Sequence, residues 1–167
     1  MIKSFNSLLV TMFGLGKIKI IPGTLGSFAT TILLFYLFHP LNVSANIILI
    51  GLTVTFVYSF YAIATHTESS ENKDPSEIII DEFLGQSIPI YLYEMSHGIT
   101  KNDDEAIIYY LLFFILFRYF DIMKPFPVNF FDKNFKNSFG VIMDDICAGF
   151  YVVLTLVCFM IIKSYVL

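Results

Sequence analysis

The sequence predicts an all-α fold: a compact multi-helical, membrane-embedded bundle of about five apolar helices, with its polar motifs gathered at the cytoplasmic face. Three observations carry that expectation. The 167 residues are 56% hydrophobic and only 14% charged, with a mean hydropathy of +0.73, against roughly 45–50% apolar and about 25% charged for a soluble domain. The apolar residues fall into runs of about 14 to 20, or roughly 21–30 Å as helix, several of them short against a bilayer core of about 30 Å and so expected to tilt, to extend past these bounds or only to dip into the bilayer. Clusters of turn-forming residues separate the runs. The length suits one domain, residues 1–167.

The elements follow in chain order. The opening stretch "MIKSFNSLLVTMFGLG" has only a short apolar run and lacks a cleavage pattern, so it is expected to be retained and to lie in the interface. The apolar segments are Leu25 to Phe38, Ala45 to Ala64, Ile78 to Tyr93, Ala106 to Phe120 and Ile146 to Ile162. The breakers are "HPLN", "ENKDPS", "HGITKNDD" and "KPFPVNFFDKN". Tryptophan is absent, so an aromatic belt falls to Tyr and Phe. Cys147 and Cys158 match neither a zinc nor a redox spacing and read as small apolar residues. A net charge of −4 without a basic stripe argues against nucleic acid.

Topology follows from the cations. With five crossings and a cytoplasmic N-terminus, Lys3, Lys17, Lys19, Lys73, Arg118, Lys124, Lys133 and Lys136 share one side, and only Lys101 and Lys163 the other. This is the positive-inside pattern. It collapses if Ile78–Tyr93 does not cross, so that stretch is expected to be a membrane helix despite Asp81 and Glu82 near its cytoplasmic end.

Four polar motifs then reach one face. In "PGTLGS", Thr24 reads as an N-cap, and Gly26 and Ser27 leave backbone N–H groups open to an anion; a plain cap and turn is the alternative. Asp81 and Glu82, with Glu77 one turn before, are either interfacial acids or functional ones, and acids within a membrane segment are usually functional. In "FRYFDIMKPFP", Arg118, Asp121 and Lys124 recur every three residues, and Pro125 ends the helix at Lys124. They suit a phosphate and a metal, or equally a positive-inside anchor with a local ion pair. In "GVIMDDICAGF", Asp144 and Asp145 read as helix caps or as a second acid pair. Asp81, Glu82, Asp144 and Asp145 together, with Asp121, form an oxygen-only donor set that points to Mg²⁺. No role falls to His39 or His97, and His66 suits at most proton transfer.

These motifs, in this order from Gly14 to about Tyr151, resemble the phosphatidylglycerophosphatase A family of bacterial membrane phosphatases, on "PGTLGS", "DPSEIIIDEFLGQ", "FRYFDIMKPFP" and "GVIMDDICAGFY". Phe126 stands where the family commonly has Trp. The resemblance implies Mg²⁺-dependent hydrolysis of phosphatidylglycerophosphate to phosphatidylglycerol and phosphate, by metal-activated water, in a multi-pass protein of the bacterial inner membrane with its site on the cytoplasmic face. On that reading Asp81 and Asp121 are catalytic, Asp121 as general base. Asp81, Glu82, Asp144 and Asp145 hold the metal, and Thr24, Gly26, Ser27, Arg118 and Lys124 bind phosphate. No C-x₅-R, D-x-D-x-[TV] or phosphohistidine pattern is present. The competing readings are a small ion channel or transporter, whose acids would mark an ion path, and a lipid-binding subunit, which would need no acid pairs.

Overall fold

Apolar runs in a bilayer must close their backbone hydrogen bonds internally, and helices do so segment by segment. The computed structural model describes residues 2–68, 75–97 and 103–166 and contains helices but no strand among them. The five apolar runs form α2 (Pro22–Phe38), α3 (Ala45–His66), α4 (Ile80–His97), α5 (Asp103–Met123) and α7 (Ser138–Val166). Two short helices, α1 (Ile2–Val10) and α6 (Val128–Asn134), and one 3-10 turn (Leu15–Lys17) complete the chain. Of these helices α3, α5 and α7 are long and apolar enough to cross a membrane unaided. α2 is apolar but has 17 residues, and α4 carries Asp81, Glu82 and Glu94. The expected five helices are present, with three meeting the length and hydropathy of a span.

Three helix starts differ from the sequence reading. α2 begins at Pro22, with Ile21 as its cap, so Thr24 lies inside the first turn and is not the N-cap. Proline favours the first helical position because its φ is preset and the N–H it lacks would have no partner there. α7 begins at Ser138, and Asn137 caps it by accepting the N–H groups of Phe139 (3.1 Å) and Gly140 (3.2 Å). Asp144 and Asp145 are therefore interior to the helix and cap nothing. α4 begins at Ile80, which leaves Glu77 outside it; Glu77 instead meets His66 Nε2 at 2.9 Å. The end of α5 falls at Met123, as Pro125 requires, and Lys124 takes a left-handed φ of 44°.

α4 is the hub, packed by α2, α3, α5 and α7. Its approach to α7 is backbone on backbone. A Cβ on Gly85 would lie 2.5 Å from the Asp145 carbonyl oxygen, and one on Gly149 would lie 2.3 Å from that of Gly85. Small residues permit such contact in membrane bundles. Beyond it lies a core that includes Leu34, Ile90, Tyr110, Phe113, Phe117 and Val152.

The two ends of the bundle are polar in different ways. At one end His39, which caps α2, places Nδ1 2.7 Å from Asp103 Oδ1 and Nε2 3.2 Å from Glu94 Oε1, and Tyr110 donates to the same Glu94 oxygen at 3.0 Å. That network ties the ends of α2 and α4 to the start of α5. At the other end lie the starts of α2, α4 and α7 and the end of α5. The long helices thus alternate in direction, as five crossings require. Cysteine labelling in a cysteine-free background is expected to reach Lys133 and Tyr165 from opposite sides of a sealed vesicle; same-side labelling of both would sink the five-pass arrangement.

Candidate active site

The site grows from four helix ends. Leu25 N–H makes the first helical bond of α2, to the Ile21 carbonyl at 3.1 Å. Gly23 and Thr24 therefore present N–H groups with no acceptor inside the helix. Ile21 holds a left-handed φ of 45°, a strained conformation for a β-branched residue. Gly23 also makes room: a Cβ there would lie 2.1 Å from Glu82 Oε1 and 3.2 Å from Arg118 Nη1. The start of α2 thus rests directly on the acid of α4 and the arginine of α5.

Arg118 is held from two directions. Its Nη1 lies 2.6 Å from Asp121 Oδ2, one turn along α5, and donates to Ser27 Oγ at 3.4 Å. Ser27 in turn donates to the Gly23 carbonyl at 2.9 Å. The Nε of Arg118 is buried without a partner.

Asp81, Glu82 and Asp145 converge, each offering a carboxylate oxygen within 4.8 Å of the others. Asp81 is 6% and Asp145 3% exposed. Glu82 Oε2 and Asp145 Oδ1 are buried and accept no hydrogen bond. Two buried carboxylates and the half-buried Glu82 repel one another, and orphaned acceptors in a dry site are costly. A hard divalent cation answers both, and the all-oxygen donor set fits Mg²⁺.

The expected site residues divide as follows. Asp81, Glu82 and Asp145 come together, with Asp121 and Arg118 beside them. Asp144 takes another direction: its Oδ1 accepts the Asp145 N–H at 3.0 Å and its Oδ2 meets Lys124 at 3.0 Å. Lys124 also binds Asp132 of α6, at 2.9 Å. Burial opposes the Lys124 charge, but Asp144 and Asp132 outweigh it and hold the ammonium above the ordinary lysine range. Gly26 packs against Ile79, whose side chain an added Cβ would approach to 3.1 Å, so it serves the α2–α4 contact.

Two residues escaped the sequence reading. Gln86 is fully buried, and neither its amide oxygen nor its nitrogen has a partner. It follows Glu82 by one helical turn on the same face, so a lone amide in an apolar run after an acid was the available signal. Asp132 lay in a stretch that reads as a breaker and gave no sign of its role.

The fold and these groups define a helical membrane protein with a buried acidic site, flanked by arginine, at one end of its bundle. A family model described as phosphatidylglycerophosphatase A matches residues 8–160. A Haemophilus influenzae protein named phosphatidylglycerophosphatase A is 37% identical over 147 residues, 88% of this chain and 83% of its own. A Bacteroides thetaiotaomicron protein provisionally named a phosphatidylinositol-3-phosphatase is 35% identical over 150 residues, 89% of each chain. An Escherichia coli K12 protein named phosphatidylglycerophosphatase A is 31% identical over 144 residues, 85% of this chain and 76% of its own. No solved structure matches. The chain belongs to the phosphatidylglycerophosphatase A family.

Proposed function

We propose that this chain removes the terminal phosphate of phosphatidylglycerophosphate, giving phosphatidylglycerol and inorganic phosphate, with Mg²⁺ held by Asp81, Glu82 and Asp145. The observation that carries the metal assignment is the convergence of those three carboxylates, two with orphaned oxygens, beside a braced arginine. The positive-inside pattern supports a cytoplasmic-facing site in a bacterial inner membrane. A channel would not need the arginine or the open helix start.

In this reading Arg118, braced by Asp121 and Ser27, presents its remaining donors to the phosphoryl oxygens. The N–H groups of Gly23 and Thr24, at the positive end of the α2 dipole, add donors. Asp121 accepts the proton of the attacking water through Oδ1, with Asp81 the other candidate base. Mg²⁺, when bound, supplies Lewis-acid polarisation of the phosphoryl group. Lys124 and Asp144, already paired, brace α5 and α6 against α7 and need not touch phosphate.

Phosphate release from phosphatidylglycerophosphate in detergent micelles is expected to require Mg²⁺, to stop in excess EDTA and to return on adding metal. Phosphatidylinositol 3-phosphate is the control, expected to turn over more slowly. Full activity in EDTA would remove the metal, and faster turnover of the inositol lipid would reassign the substrate. Gln86→Leu, which removes both orphaned amide groups, is expected to fold at least as stably as wild type. It should lose about 10- to 100-fold in turnover if that amide meets substrate or water in the loaded site. Unchanged turnover would make Gln86 a packing residue only.

A further inference from the structure

A groove of about 360 Å³ opens between α3, α4 and α7, walled by Leu52, Phe56, Leu84, Ile88, Ile146 and Phe150. Its volume falls in the range of ligand sites, about 300–1,000 Å³. Thr53, Ser87 and Tyr91 bring hydroxyls to its border, and those of Thr53 and Ser87 are turned away. Ser87 donates to the Phe83 carbonyl at 2.6 Å and Thr53 to that of Leu49 at 2.8 Å. Neither of these two offers a polar handle, and apart from the Tyr91 hydroxyl the remaining side chains of the lining are hydrocarbon, so the groove suits an acyl chain.

Its position gives it meaning. Asp81, Leu84, Ile88 and Tyr91 are spaced three, four and three residues apart, which places them on one stripe of α4. The acid therefore heads the row whose apolar members line the groove. On α7, Ile146 directly follows Asp145 and Phe150 continues the same wall. The groove thus starts one helical turn beyond Asp81 on α4 and one residue beyond Asp145 on α7. It extends along α4 from Leu84 to Leu92, about 12 Å at 1.5 Å per residue.

We propose that this groove seats the head-proximal part of one acyl chain of the phospholipid whose phosphate occupies the acid site. The inference rests on the lipid-phosphatase reading above. A flat helix surface contacts lipid tails without preference, since they are as apolar as leucine. A cleft within a helical turn of the head-group site instead fixes the chain relative to the phosphate. Binding along the tail then orients the reacting group, as remote contacts do in other enzymes.

The chain has no tryptophan, so an introduced one both fills and reports. Thr53→Trp narrows the groove from α3; Ile50→Trp lies on the same helix, exposed and outside it. Two substrates are compared: dipalmitoyl phosphatidylglycerophosphate and its deacylated, chainless counterpart. The ratio of diacyl to chainless kcat/KM is expected to fall about tenfold in Thr53→Trp and to stay at the wild-type value in Ile50→Trp. An unchanged ratio in Thr53→Trp, or equal falls in both variants, would overturn the groove. Leu49→Trp, which also lines the groove from α3, replaces Thr53→Trp if the latter does not fold. If folded wild type hydrolyses neither substrate, the phosphatase reading fails, and fluorescence tests the groove separately. Saturable quenching of Thr53→Trp but not Ile50→Trp by brominated-chain phosphatidylglycerol supports an acyl site; linear quenching of both overturns it.

Discussion

Asp145→Asn is expected to lower phosphatidylglycerophosphate turnover by about a thousandfold, or ~4 kcal/mol of transition-state stabilisation, while the protein stays folded. The substitution keeps the shape and removes one of three anionic donors that lie within 4.8 Å of one another. Stability should respond with a characteristic sign. Without metal, the variant loses like-charge repulsion among buried carboxylates and should melt no lower than wild type. With metal, wild type gains stability as RT ln(1 + [L]/Kd), about 2.7 kcal/mol at a hundredfold excess over Kd, and the variant should gain little. Phosphate release together with thermal melts across a Mg²⁺ titration measures both. A variant that keeps wild-type turnover and a wild-type Mg²⁺-dependent rise would remove Asp145 from the metal site. Asp144→Asn makes the contrast: it breaks the Lys124 pair and should lower the melt more than it alters the metal response.

Arg118→Lys is expected to lose roughly 30- to 1,000-fold in turnover, about 2–4 kcal/mol, the range for losing a preorganised donor. The guanidinium already spends Nη1 on Asp121 at 2.6 Å and Ser27 at 3.4 Å, so its remaining donors are oriented before substrate arrives. An ammonium is a point charge that presents no planar fork. It can pair with Asp121 or face the phosphate, but not hold both geometries. The measurement is turnover in micelles at saturating Mg²⁺, with folding followed by melt. Wild-type turnover in Arg118→Lys would leave the residue only its anchoring charge. Activity restored by raising Mg²⁺ would move it to the support of the metal site.

Hydropathy alone located the long helices because nothing competes with burial in lipid over such runs. Helix starts were harder. The cap at Ile21 and the start at Ser138 depend on proline and asparagine geometry just outside the apolar runs, where hydropathy is silent. Adjacent acids posed the sharpest problem. Asp144 and Asp145 are equivalent in composition, but neighbouring helical positions point about 100° apart at 3.6 residues per turn. One therefore enters the cluster and the other meets Lys124. His39 could not be matched with its partners, Glu94 and Asp103, because they lie 55 and 64 residues away and no local periodicity joins them. The gathering of acids at one end was legible, because breakers between the apolar runs make consecutive long helices reverse direction.

The contact of Gly85 with the main chain at Asp145 has a consequence for an enzyme whose solvent is a bilayer. Hydrocarbon thickness varies among membranes, and helices accommodate it by tilting or bending at modest cost. A joint made of two main chains has no side-chain rotamer to shift and no compressible methyl layer between its halves. The spacing of the main chains that carry Asp81 and Asp145 is thus set by direct van der Waals contact between backbones. Lipid composition can then lean on the outer helices, and the α4–α7 joint at the centre is expected to keep its spacing.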